Sequence, residues 1–125
     1  MTIRTSARWC VVGLYLALIT ALSLLPSRNF GGINAPAGAD KVVHAGMYAG
    51  FVMLSAWALW ERRPARPRWL AMTAGAAFGY GMLMELAQNA MAMGRACEAT
   101  DMLANAVGAA LGALGWWLWA GVVRK

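Results

Sequence analysis

Four apolar runs, each long enough to cross a bilayer as a helix, divide this chain: Trp9 to Leu25, Val42 to Trp60, Trp69 to Met93 and Met102 to Val123. A spanning helix needs about 20 predominantly apolar residues, so four of them take up most of the 125 positions. Between the runs lie stretches with charge, Pro or Gly, which end each apolar pattern. Charged residues make up only 13% and hydrophobic ones 61%, against about 25% charged in an ordinary soluble domain. That balance excludes a disordered chain, a collagen-like repeat, a disulfide-framework domain and a large soluble catalytic core. The expected fold is an all-α membrane protein, a bundle of four transmembrane helices forming one domain over residues 1–125.

The basic residues set the expected orientation. Arg4 and Arg8 precede the first run, Arg62, Arg63, Arg66 and Arg68 fill the second connection, and Arg124 and Lys125 close the chain; Arg28, Lys41 and Arg95 fall on the other side. Positive residues gather on the cytoplasmic side of short loops, so both termini are expected in the cytoplasm. Trp9, Trp57, Trp60, Trp69, Trp116, Trp117 and Trp119 crowd toward the same side, as an interfacial aromatic belt does. Net charge is +6, yet no basic helix face runs along the chain to follow a phosphate backbone, and nucleic acid is not an expected partner. Removal of the first run as a signal peptide is not expected, because its apolar core is long and Ala37-Gly38-Ala39 lies far beyond it. Cys10 and Cys97 fall near opposite membrane faces, so no bridge is expected within one chain.

Polar residues inside the spans are few and one-sided. Asp40, Lys41 and His44 begin the second span at its outer end, and Tyr48 shares a face with Asp40 and His44 by the i, i+4, i+8 rule. Glu85 and Gln88 share a face of the third span, Arg95 follows in the next turn, and Asp101 and Asn105 open the fourth. Glu85 is the most informative, because an ionisable group at membrane depth is costly and faces the bundle interior. With Met93 taken as the helix end, it sits roughly 12 Å below the outer surface. A carboxylate there needs a cation within a few Å or a proton; Arg95, Lys41 and His44 are the candidates. Together these residues suggest a polar pocket opening outward. Asp40 and Asp101 also fit plain helix capping, and Gln88, Tyr48 and Asn105 fit interhelical hydrogen-bonding. Gly46/Gly50, Gly75/Gly79 and Gly108/Gly112 form small-xxx-small pairs that let backbones approach, which favours a compact packing of spans two to four with the first more peripheral.

The segments Asp40-Lys41-x-x-His44-x-x-x-Tyr48, Glu85-x-x-Gln88 and Arg95-x-x-Glu98-x-x-Asp101-x-x-x-Asn105-x-x-Gly108-x-x-x-Gly112 resemble, in order, the pattern of the VanZ-like family of small bacterial membrane proteins. Glu98 departs from it where many relatives would carry Ser. The resemblance implies a multi-pass protein of the cytoplasmic membrane, and the family's founding relative is linked to tolerance of the glycopeptide antibiotic teicoplanin.

The reading favoured by these residues is a non-catalytic protein in which Lys41, His44, Tyr48, Glu85, Gln88, Arg95, Asp101 and Asn105 bind a polar or anionic group of a membrane lipid or a lipid-linked envelope precursor. An alternative is a membrane-embedded enzyme using His44 or Glu85 as acid or base on a lipid-linked substrate, without a nucleophile motif to support it. A third is a structural subunit of a membrane complex. No cofactor is expected, and no metal, since no His, Cys and carboxylate spacing matches a linear metal motif. The orientation has a direct test: alkaline phosphatase fused after Lys125 should be inactive in a bacterial host and active when inserted after Ala35. The reverse pattern would put the termini outside.

Overall fold

A computed structural model describes residues 3–25, 36, 38–60, 66–91 and 99–123. It consists of α1 (Ile3–Leu24), α2 (Ala39–Leu59), α3 (Pro67–Ala90) and α4 (Ala99–Val123), all four long and apolar enough to span a membrane. They run up-down-up-down, so α2 and α4 begin at the end where α1 and α3 finish. The helices start earlier than the apolar runs, because polar first turns such as Asp40-Lys41 and Thr100-Asp101 are helical without being hydrophobic. Pro67 opens α3 from an extended Arg66, the position where a missing N–H costs nothing. Gly38 precedes α2 with φ 83°, a left-handed conformation that glycine adopts without penalty, and its carbonyl accepts from Lys41 and Val42 N–H. Gly38 at the cap position has no side chain to offer, and Asp40 stands in the first turn, where its carboxylate accepts backbone N–H bonds of that turn.

The outside of the bundle is apolar. Leu14, Val42, Leu83, Leu86, Leu103, Leu111 and Val122 are more than half or nearly half exposed, which suits contact with lipid tails. Inside, Ile19, Tyr48, Val52, Ala77 and Ala109 form one core cluster, and Ala56, Leu70 and Trp116 a second.

The most extensive contact joins α2 to α4, and its cause is visible at two glycines. A Cβ on Gly108 would lie 2.1 Å from the Ala45 carbonyl oxygen, and one on Gly112 would lie 2.5 Å from that of Ala49. The backbones touch there because no side chain stands between them. The other two glycine pairs do not pack this way. Gly46, Gly75 and Gly79 have no neighbour within 4 Å of an added Cβ, and Gly50 meets the Tyr15 side chain. The inward face of α3 carries Ala77, Gly81 and Glu85 instead, one helical turn apart. Among the described residues α1 is peripheral, as expected, touching α2 and α3 only. It is held by polar contacts: Tyr15 Oη donates to Met47 O at 3.1 Å, Thr20 shares a hydrogen bond with Tyr80, and Gln88 Nε2 donates to Ser23 O.

Far from the α2 and α4 starts, Trp60, Trp116 and Trp119 stack with centroids 4.8–5.7 Å apart. The Arg8 guanidinium lies 5.1 Å above the Trp57 ring.

Gly108→Ala should therefore destabilise the bundle by about 1–3 kcal/mol through overpacking, whereas Gly75→Ala should stay within about 0.5 kcal/mol of wild type. Thermal unfolding in detergent compares the two. Equal effects would contradict the assigned α2/α4 contact.

Candidate functional site

Helix starts decide which polar groups meet. Lys41 and His44 occupy the first turns of α2, Asp101 and Asn105 the first turns of α4, and Glu85 the last turns of α3. Because α2 and α4 are in backbone contact at Ala45 and Gly108, the residues just before those positions face one another. Lys41 Nζ donates to Asp101 Oδ1 at 2.9 Å and to Asp40 Oδ2 at 2.9 Å. One turn deeper, His44 Nδ1 lies 3.0 Å from Asn105 Oδ1 and 3.7 Å from Glu85 Oε1. With the asparagine oxygen as acceptor, the imidazole donates from Nδ1, which fixes its tautomer when neutral.

Exposure falls steadily along this set. The side chains of Asp40 and Lys41 are 51% and 35% exposed, Asp101 12%, His44 7% and Glu85 1%. The exposed members stand at the helix starts and the buried ones deeper in the bundle. Ion pairs at the rim contribute little. Glu85, on the floor, loses nearly all its hydration and depends on its neighbours. The described members of this cluster include three carboxylates, Asp40, Glu85 and Asp101, together with Lys41 and the imidazole of His44.

Of the eight residues singled out from sequence, Lys41, His44, Glu85, Asp101 and Asn105 come together. Tyr48 lies next to them, buried one turn below His44: a Cβ on Gly81 would lie 3.0 Å from the Tyr48 ring and 2.9 Å from Asn105 Nδ2. Gln88 is buried but turns to α1, where it satisfies the Ser23 carbonyl. Arg95 lies outside the described residues, as does Cys97; Cys10 is free and exposed. Two expectations change. Asp101 reaches across to Lys41, so interhelical pairing occupies the carboxylate that capping also explained. And α3 ends at Ala90, not Met93, which leaves Glu85 five residues, or about 7.5 Å, from the helix end.

Gly81 is the member that sequence reading missed. It stands four residues before Glu85 with Ala77 four before it, so the small-residue face was readable had Ala been counted with Gly.

Nor did linear spacing show that His44, Glu85 and Asp101, from three helices, place one ligand atom each within 4.8 Å of one another.

Four apolar helices around a buried polar cluster define a multi-pass helical membrane protein. The chain belongs to the VanZ-like family: the family model described as VanZ/LLP1 matches residues 12–120, which takes in every residue of the cluster. No curated protein and no solved structure gives a match.

The His44–Asn105 contact is open to a double-mutant cycle. Alanine at both positions, compared with each single change, should give a coupling of about 1 kcal/mol, the scale of hydrogen bonds between membrane helices. Strict additivity would mean the two side chains do not interact.

Proposed function

We propose that this protein holds the polar head of a cell-envelope lipid or lipid-linked precursor at the end of the bundle where α2 and α4 begin, in the bacterial cytoplasmic membrane, without chemical turnover. The observation that carries this reading is the fall in exposure from Asp40 and Lys41 to Glu85, within a surface otherwise lined by apolar side chains. Such a surface admits an acyl or prenyl chain alongside α2 and α4, while its head meets Lys41, Asp101 and His44. A phosphate would draw on Lys41 and, by sequence, Arg95. The positive ends of the α2 and α4 dipoles add to that attraction.

A second reading, an enzyme with His44 and Glu85 as acid–base pair, has one observation in its favour, the 3.7 Å between Nδ1 and Oε1. It needs a substrate atom to approach groups that are 7% and 1% exposed.

Lipids retained by the purified protein, identified by native mass spectrometry, test the binding reading. Lys41→Ala and Arg95→Ala should lose a retained lipid that wild type keeps, with melting temperatures close to wild type. Unchanged retention in both would refute it, and product formation from a lipid-linked substrate would favour the enzyme.

A further inference from the structure

We propose that His44, Glu85, Asp101 and Asn105 form a binding site for one divalent first-row cation, of the Mn2+ or Zn2+ kind. The site rests on donor geometry alone and stands whether or not a lipid is retained.

Two donors on one such ion, with bonds of about 2.1 Å, lie about 3 to 4.2 Å apart. His44 Nδ1 and Asn105 Oδ1 are already 3.0 Å apart, and His44 Nδ1 and Glu85 Oε1 are 3.7 Å apart; the ion takes the place of the Nδ1 proton, the ring changing to the Nε2–H tautomer, and both atoms of the former hydrogen bond become its ligands. The atoms of His44, Glu85 and Asp101 all fall within 4.8 Å, so closing on an ion needs side-chain rotation of under about 1 Å. The donor set is one imidazole nitrogen, two carboxylates and one amide oxygen. Oxygen donors suit Mn2+ and Mg2+, while the imidazole adds the preference of Mn2+ and Zn2+ over Mg2+.

A second, independent observation points to what the site takes. Asn105 is 1% exposed, and its Nδ2 has no hydrogen-bond partner among the described residues. A buried N–H donor of this kind calls for an oxygen acceptor. A water bound to the ion offers an oxygen to Nδ2, which a bare ammonium does not.

Lys41 then has a definite part. Its ammonium holds Asp101 Oδ1 at 2.9 Å, so it competes with the ion for that carboxylate. Removing it should strengthen cation binding, an effect opposite to what loss of a purely structural ion pair would give.

The chain contains a single histidine, which makes the test specific. Untagged full-length protein in detergent is titrated with Mn2+, an ion with little affinity for the two cysteine thiols, and bound Mn2+ is examined by pulsed electron paramagnetic resonance. Wild type should bind one Mn2+ with coupling to a directly bound nitrogen, which only His44 can supply from an imidazole, and its melting temperature should rise with Mn2+. His44→Ala should abolish the coupling, and Glu85→Gln or Asp101→Asn should weaken binding at least about tenfold. Lys41→Met, at the rim and independent of any folding defect on the floor, should tighten binding severalfold. Absence of saturable Mn2+ binding to folded wild type, bound Mn2+ without nitrogen coupling, or weaker binding in Lys41→Met would each overturn the site.

Discussion

The close approach of α2 and α4 governs the rest of the structure. Two glycines on α4, Gly108 and Gly112, meet the backbone of Ala45 and Ala49 on α2. In a membrane no hydrophobic drive presses helices together, so van der Waals contact between backbones has to do it. That contact also sets register. His44 is the residue before Ala45 and Asn105 is one turn before Gly108, so locking the glycines onto the alanines brings imidazole and amide to 3.0 Å and, one turn further out, Lys41 to Asp101. A slip of one turn would break both pairs at once and leave at least one buried polar group without its partner, at a cost that lipid cannot relieve. Packing and polar pairing therefore select the same arrangement.

The third helix completes the cluster by having no side chain where one would obstruct it. Gly81 admits the Tyr48 ring and the Asn105 amide against α3, and Glu85, one turn on, reaches His44. A larger residue at 81 would push α3 away from the other two helices and with it the only carboxylate on the floor among the described residues. The first helix is attached by different means. Tyr15, Thr20 and the Ser23 carbonyl bond to α2 and α3, and such bonds contribute about 1 kcal/mol or less each in membranes. The fold thus has a tightly registered group of three helices and a fourth held by separate polar attachments.

Much of this was legible in the sequence. Apolar length alone gave four spans, and the i, i+4 rule put His44 and Tyr48 on one face and Asp101, Asn105 and Gly108 on another, as found; the same rule also put Asp40 on the His44 face, where its side chain is instead 51% exposed. Glu85 was marked by the cost of a carboxylate at depth, and it is indeed 1% exposed on its side chain. What failed was the choice among glycines. Three equivalent pairs stood in the sequence, and only Gly108/Gly112 packs backbone to backbone, because whether a small residue faces a helix or lipid depends on the rotation of the whole helix. Gln88 shows the same limit. Its place on the Glu85 side of α3 was readable, whereas its partner, a backbone carbonyl of α1, belongs to tertiary geometry. The three-helix donor set could not be read at all from spacing, since its members lie 16 to 57 positions apart.

The chemical difference between the two ends of the bundle fixes how deep the polar cluster lies. At one end stand Trp60, Trp116 and Trp119 in mutual contact and Arg8 over Trp57, groups that prefer the membrane–water boundary. From Trp60 back to His44 is 16 residues of helix, about 24 Å at 1.5 Å per residue, while the hydrocarbon core is about 30 Å thick. With the tryptophans at one boundary, His44 comes to rest several Å short of the other, and Lys41 one turn higher reaches it. The imidazole and Glu85 are thereby placed where water is scarce and charge interactions are strong, while Lys41 and Asp40 remain wet. A cluster at the boundary itself would be screened by solvent, and one at the midplane could not be reached from either side. The aromatic end thus sets the depth at which His44 and Glu85 lie dry while Lys41 and Asp40 meet water.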